Sequence, residues 1–251
     1  MTISERIFIN ADDFGFNSSI NKAIVELFEK RLINSTTLMA NMPGFEEAVD
    51  LANQYQFANK IGIHLVLTDG TPLSEGIKSI NFLFNGIEHY KRYRHFLFFL
   101  TKNQKKIIYE GFATQIEKIQ SKNISITHID THHHVHEMYG IMKIILELQK
   151  RYNIPYVRIL NNMEKASIWY KRVYRCRLNN ILFNKGINYS DLFGNQADFS
   201  AKWSENTHFF KNKAIEIMVH PDYNQEGQLV DMAGENQYDF NFIQSLRLNL
   251  E

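Results

Sequence analysis

The stretch Ile7–Leu32, IFINADDFGFNSSINKAIVELFEKRL, carries the pattern from which the fold is read. It opens on an apolar run, Ile7, Phe8 and Ile9, short enough for a buried strand, which leads directly into Ala11, Asp12 and Asp13. Residues 18–32 then set Ile20, Ala23, Ile24, Leu27 and Phe28 on one helical face, with Ser18 or Ser19 placed to cap the start. The same strand-then-helix unit recurs downstream. Ser35–Met42 is β-prone and residues 44–55 read as a helix after Pro43. Ile61–Leu67 is a third strand and residues 107–121 a helix with Ile108, Phe112, Ile116 and Ile119 in register. Ile124–Asp130, the helix 138–151, the strand Tyr156–Ile159, the helix 166–183 and the strand Ala214–His220 continue the series. Such alternation predicts an α/β fold with a parallel sheet and crossover helices. Repeated this often, it predicts a single-domain distorted (β/α) barrel over residues 1–251, with an open doubly wound sheet as the alternative. No GxGxxG or P-loop follows the first strand, so a nucleotide site lacks its usual signal.

Composition agrees with a globular chain able to bury its own core. Of 251 residues, 44% are apolar and 22% charged, and 28 Lys and Arg balance 27 Asp and Glu to a net charge of +1. That balance argues against a nucleic-acid partner and against disorder. The single cysteine, Cys176, excludes a disulfide framework and a cysteine-rich zinc site. The N-terminus lacks a secretory apolar run and no stretch has the length of a transmembrane segment, so a cytoplasmic protein is expected. Oligomeric state is not legible, and a homodimer is kept as an expectation.

One segment interrupts the alternation, an insertion at about 77–106. Residues 78–106 carry Lys78, Lys91, Arg92, Arg94, Lys102, Lys105 and Lys106 against Glu88, with the apolar run Phe96–Leu100 inside. The plainer expectation is an inserted helix with a solvated basic face. The sharper one is a lid, or a peripheral membrane contact with an anionic or lipid-linked partner.

Chemistry-bearing residues gather where strands end. Asp12 and Asp13 follow the first strand, and His64 lies in the third. Asp130 and the run His132, His133, His134 and His136 follow the fourth, Arg158 lies on the fifth, and His220 ends the last. In a parallel barrel the C-terminal strand ends share one rim, so these distant residues converge. Thr127–His136 holds five of the ten histidines, the commonest transition-metal ligands, and one or two of them are expected to bind a metal. Two adjacent carboxylates at a buried mouth repel, and a cation held by Asp13 would relieve this, leaving Asp12 as a base. Arg158 either pairs with Asp12 or Asp130 or binds substrate.

The motif Asn10–Ala11–Asp12–Asp13–Phe14–Gly15 resembles the opening motif of the YdjC-type carbohydrate deacetylases, which include the chitooligosaccharide deacetylases. Ser35–Thr36–Thr37, Gly62–Ile63–His64–Leu65 with Leu67–Thr68 and Pro72–Leu73, Thr127–Asp130 with His132–His136, and Glu216–Pro221 match in order. The resemblance spans most of residues 5–225. It implies a distorted (β/α) barrel that removes acetyl groups from N-acetylated amino sugars with one divalent ion. It implies metal ligands at Asp13, His64 and His132, a base at Asp12 and an acid at His220. Asp130, His134, His136 and Arg158 are expected to touch substrate or orient ligands. The family's ion is usually described as Mg2+, while two imidazoles and a carboxylate equally suit Zn2+, Mn2+, Co2+ or iron. The basic segment 78–106 is not a mark of the family. Another single-metal barrel hydrolase or isomerase acting on a sugar or sugar phosphate is the alternative.

Overall fold

The computed structural model describes residues 6–80, 99–164, 168–233 and 236–248. Seven parallel strands form one curled sheet in the order β5-β4-β3-β2-β1-β7-β6. They are β1 (Ile7–Phe14), β2 (Ser35–Leu38), β3 (Ile61–Leu65), β4 (His128–Thr131), β5 (Tyr156–Val157), β6 (Leu192–Asn195) and β7 (Ile215–Val219). Helices α1 (Ser18–Glu29), α2 (Phe45–Gln54), α3 (Glu75–Lys78), α4 (Lys102–Gln120), α5 (Tyr139–Arg151), α6 (Trp169–Lys185) and α7 (Gln196–Glu205) lie between successive strands. The expected distorted barrel is therefore what the chain forms. Its edge strands β5 and β6 do not pair as a ladder. Instead Asn162, just past β5, donates its backbone N–H to Phe193 O at 3.2 Å and accepts from Phe193 N at 3.0 Å through Oδ1. One residue, through its backbone N–H and its side-chain oxygen, thus bridges the seam between β5 and β6.

The apolar periodicity explains the helices. Ala23, Ile24 and Leu27 of α1 are fully buried, and the N-cap is Asn17, whose Oδ1 accepts from Ile20 N at 2.9 Å, rather than either serine. An amide oxygen satisfies an orphan helix donor as well as a hydroxyl does. Helix α4 starts at Lys102, earlier than the apolar pattern indicates, because Thr101 and Gln104 form a reciprocal capping box. Residues 81–98, the centre of the basic insertion with its proposed lid or membrane surface, lie outside the described residues.

Several strands are shorter than their apolar runs. Val66 and Leu67 are buried but leave the ladder, because Gln115 of α4 accepts from Val66 N at 2.8 Å and donates to Val66 O at 2.7 Å. Asn179 of α6 does the same for Leu160, at 2.7 and 2.9 Å. A buried side-chain amide presents the donor and acceptor of a neighbouring strand, so it ends a strand without stranding backbone polar groups. After β7 the chain makes a three-stranded antiparallel sheet, β8 (Pro221–Tyr223), β9 (Leu229–Ala233) and β10 (Asn236–Tyr238), and then α8 (Asn241–Leu248). β8 is tied to α1 by Tyr223 Oη, which donates to Glu26 at 2.6 Å. The sequence reading anticipated neither β6 and α7 nor this second sheet.

Candidate metal centre

The rim at the C-terminal strand ends is built first by a break in β1. The β1–β2 register shifts between Ala11 and Phe14, and Asp13 has φ 67, in the left-handed region. In a regular strand Asp12 and Asp13 would point to opposite faces. The bulge at Asp13 turns both carboxylates toward the barrel mouth. The turn that follows needs Gly15, whose φ is 90 and whose missing Cβ would lie 3.1 Å from Met39 O.

His64 and Asp130 are direct neighbours across the β3–β4 ladder. His64 Nδ1 lies 2.7 Å from Asp130 Oδ1, and its Nε2 faces Asp13 Oδ1 at 3.3 Å. Asp130 therefore holds the ring with Nδ1 protonated and Nε2 directed to the site. His132 arrives from the turn after β4, its Nδ1 3.0 Å from the same Asp13 oxygen and its Nε2 3.5 Å from Asp69. The two rings thus offer different nitrogens to one point. Ligand atoms of Asp13, His64 and His132 all fall within 4.8 Å of one another, as do those of Asp12, His64 and Asp130.

The remaining histidines fan away from that point. His133 and His134 have φ 54 and 52, and this kink turns His134 away while the His133 ring lies against that of His132, 4.0 Å between centroids. His133 Nδ1 pairs with Thr68 Oγ1 at 2.9 Å. His134 packs edge-on against Phe193. His136 is buried, 2.6 Å from Thr131 Oγ1, and burial pushes its pKa down to about 3. Of the run, only His132 reaches Asp13 among the described residues.

Beneath the rim Arg158 is fully buried amid three carboxylates. It donates two bonds of 2.7 Å to Asp12 and one of 2.6 Å to Glu216, and its Nη1 lies 2.6 Å from Asp130. Both pairings expected for Arg158 are present, and at 0% exposure it has no direct access to a substrate. Burial opposes the ionisation of Asp12, but the Arg158 guanidinium outweighs it and holds the carboxyl well below the usual range. Asn10 Nδ2 donates to Asp12 at 2.8 Å, and Thr37 Oγ1 to Asp130 at 3.0 Å. Burial and the clustering of acids leave Glu216 less well compensated, pushed up to about 7. His220 Nε2 stands 4.0 Å from Asp12 Oδ2; the ring is partly exposed, and the backbone N–H of His220 donates to Asp231 at 2.7 Å.

These contacts carry a deficit of positive charge. Among the described residues one guanidinium, Arg158, meets three carboxylates, Asp12, Asp130 and Glu216, and a fourth, Asp13, meets only the imidazoles of His64 and His132. Burial lowers the proton affinity of His64, yet Asp130 and Asp13 more than reverse this and raise it to about 10. Asp13 is held well below the carboxylate range by His132 and His64 against the cost of burial. The site thus attracts protons strongly, and a divalent cation would meet the same demand. One carboxylate and two imidazoles of fixed orientation fit such an ion. Sequence reasoning gave no role to Asp69, Thr37, Asn10, Glu216 or Asp231. The signals were there in the Asp69-Gly70 turn and in the Ser35–Thr37 and Glu216–Pro221 motifs.

A family model described as YdjC-like protein matches residues 6–248. A protein of Clostridium beijerinckii named carbohydrate deacetylase is 41% identical over 60% of this chain and 58% of its own length. One of the same name from Brevibacillus brevis is 31% identical over 92% of this chain and 87% of its own length. A third from Geobacillus stearothermophilus is 37% identical over 59% of this chain and 57% of its own. A crystal structure of an Enterococcus faecalis V583 protein, provisionally assigned to cellobiose-phosphate cleavage, superposes with a TM-score of 0.64 at 20% identity, over 88% of this chain and 82% of that one. That likeness concerns the fold. No helix among the described residues is long and apolar enough to cross a membrane.

Proposed function

The chain belongs to the YdjC-like family, and from that premise we propose that it is a metal-dependent deacetylase of N-acetylated amino sugars, releasing acetate. The observation that carries the proposal is the meeting of Asp13, His64 and His132 within 4.8 Å at the open end of the barrel. These three residues would hold the ion. Asp130 and Asp69 would orient the two rings from behind. When bound, a divalent cation polarises the acetyl carbonyl and acidifies water, which brings the proton within reach of a carboxylate as weakly basic as Asp12.

The other steps belong to the chain's own groups. Asp12 is ionised throughout the working pH range, and Arg158 and Asn10 fix its orientation. Among the described residues its Oδ2 accepts from Arg158 and lies on the side that faces His220, which leaves an acceptor position there. Asp12 takes the proton from the attacking water. His220, partly exposed on the same side, gives a proton to the departing amine. The donor set suits Zn2+, Mn2+ or Co2+ by ligand preference, with Mg2+ the harder alternative.

The test is acetate release from a panel of N-acetylated mono- and oligosaccharides and carrier-linked sugars, using metal-stripped protein with single ions restored. Release that needs a restored ion and falls by about 10²-fold or more in Asp12→Asn, with the ion still bound, is the expected result. Full activity in the stripped protein, or in Asp12→Asn, contradicts it.

A further inference from the structure

Arg158 joins the two halves of the proposed reaction. Its Nη1 and Nη2 hold the two oxygens of Asp12 at 2.7 Å, and Nη1 also lies 2.6 Å from Asp130, whose other oxygen meets His64. The guanidinium thus sets where the base stands relative to a residue that would hold the ion. Yet the backbone that carries it is lightly fixed. Arg158 follows β5, a two-residue strand at the edge of the sheet that pairs with β4 alone.

The remaining tie comes from the other side of the β5–β6 seam. Glu216 lies within β7, which pairs with β1 and with β6, and its ladder partners are Phe8 and Phe193. Its Oε1 accepts from Arg158 Nε at 2.6 Å, while the guanidinium carbon stands 4.8 Å over the Phe193 ring. The planar fork is therefore gripped on both edges, by Asp12 at the Nη edge and by Glu216 at Nε. Gripped at the Nη edge alone, guanidinium and carboxylate could swing together as one body.

Charge does not account for Glu216. Asp12 and Asp130 already outnumber the one positive charge of Arg158, so a third carboxylate adds repulsion. Burial, with Asp130 adding to it, pushes Glu216 up to about 7 in spite of Arg158. A leucine between the two phenylalanines would suit an apolar layer, but it would leave a buried Nε–H without an acceptor. We propose that Glu216 is a positioning residue for the reaction. By accepting from Nε it fixes the plane of Arg158, and so the direction in which Asp12 presents its carboxylate, and it acts as an acceptor rather than as a charge. The kinetic consequence rests on the deacetylase reading, whereas the fixed guanidinium rests on the geometry alone.

Full-length parent, Glu216→Leu and Glu216→Gln are compared with the same ion restored. In Glu216→Leu kcat is expected to fall about tenfold or more, with KM within about threefold and the ion still bound. Glu216→Gln, whose amide oxygen can still accept, is expected to return kcat to within about threefold of the parent. In 15N-edited spectra of the metal-free protein, the buried Arg158 Nε–H should give a solvent-protected signal in the parent and in Glu216→Gln, and none in Glu216→Leu. An unchanged kcat in Glu216→Leu overturns the proposal, as does a protected Nε–H that survives there. A fall of about tenfold in Glu216→Gln also overturns it, by making the charge the working property, and this holds even where the leucine variant does not fold. Should the parent release no acetate with any ion, the deacetylase reading fails, and the spectra decide whether Glu216 fixes Arg158.

Discussion

Asp13 and Arg158 are the two residues on which the site's geometry rests, and each predicts a measurable failure. Asp13 leaves the strand conformation at φ 67 to bring its carboxylate between two imidazoles. Arg158 is the only guanidinium touching Asp12, Asp130 and Glu216 among the described residues. Replacing it with methionine keeps the volume and leaves buried acids without their counter-charge. A loss of about 3–5 kcal/mol in denaturant unfolding is expected, the usual cost of breaking a buried pair from one side. A loss below about 1 kcal/mol contradicts the arrangement. Asp69 was invisible as a partner in sequence, because a surface Asp-Gly pair reads first as a turn. Its placement at 3.5 Å from His132 Nε2 makes it an orienting group. Asp69→Asn is expected to weaken metal binding by about 10–100-fold, measured by competition with a chromophoric chelator. An unchanged affinity removes Asp69 from that role.

At the scale of elements, legibility followed periodicity. The strands β3 and β7 and the helices α1 and α5 carry clear apolar patterns and were anticipated to within three residues at each end, while β1 and α4 were found with one end five residues short. β6 reads Leu-Phe-Gly-Asn, four residues with two turn formers, and carries no strand signal of its own. It pairs only because β7 offers a ladder edge. Where the run Ile61–Leu67 was read too long, at Val66, the reason is a tertiary amide clamp that no local pattern announces, and a second such clamp holds Leu160, just past the strand read as Tyr156–Ile159. Gln115→Leu is expected to cost about 1–3 kcal/mol, since it strips the backbone N–H and C=O of Val66 of their partners. Unfolding within 0.3 kcal/mol or so of the parent contradicts the clamp. The site was legible in the same unequal way. Strand ends marked Asp12, Asp13, His64, Asp130 and His220, whereas the direction of each histidine in the run after β4 depended on left-handed residues that a histidine-rich sequence does not reveal.

A packing prediction joins two strands. A Cβ on Gly62 of β3 would stand 2.4 Å from the imidazole of His128 on β4. Gly62→Ala is expected to destabilise by about 1–3 kcal/mol through overpacking. Adding His128→Ala should recover part of that loss, giving a non-additive double-mutant cycle. Strict additivity contradicts the contact.

For the whole molecule, acid stability follows from histidines kept neutral in the fold. Burial lowers His128 to about 4 and His136 to about 3, while an unfolded histidine titrates near 6.5. Below about pH 6.5 the unfolded chain takes up protons that the folded chain refuses. The stability that these two neutral histidines contribute is therefore full above that pH and falls toward pH 4, by up to about 1.4 kcal/mol per pH unit for each group. The metal-stripped protein should show a lower denaturant midpoint at pH 4.5 than at pH 7, with a smaller drop in His128→Phe. An equal drop in the variant assigns the acid sensitivity elsewhere.

The central claim is that one cation is held jointly by the first strand's bulge and by two later histidines. Its most direct test is metal analysis after equilibrium dialysis of the stripped chain against Zn2+ or Mn2+. The account predicts one ion per chain, lost in Asp13→Ala, His64→Ala and His132→Ala and kept in Asp12→Asn. No ion, two ions, or a single ion indifferent to those three substitutions would contradict it.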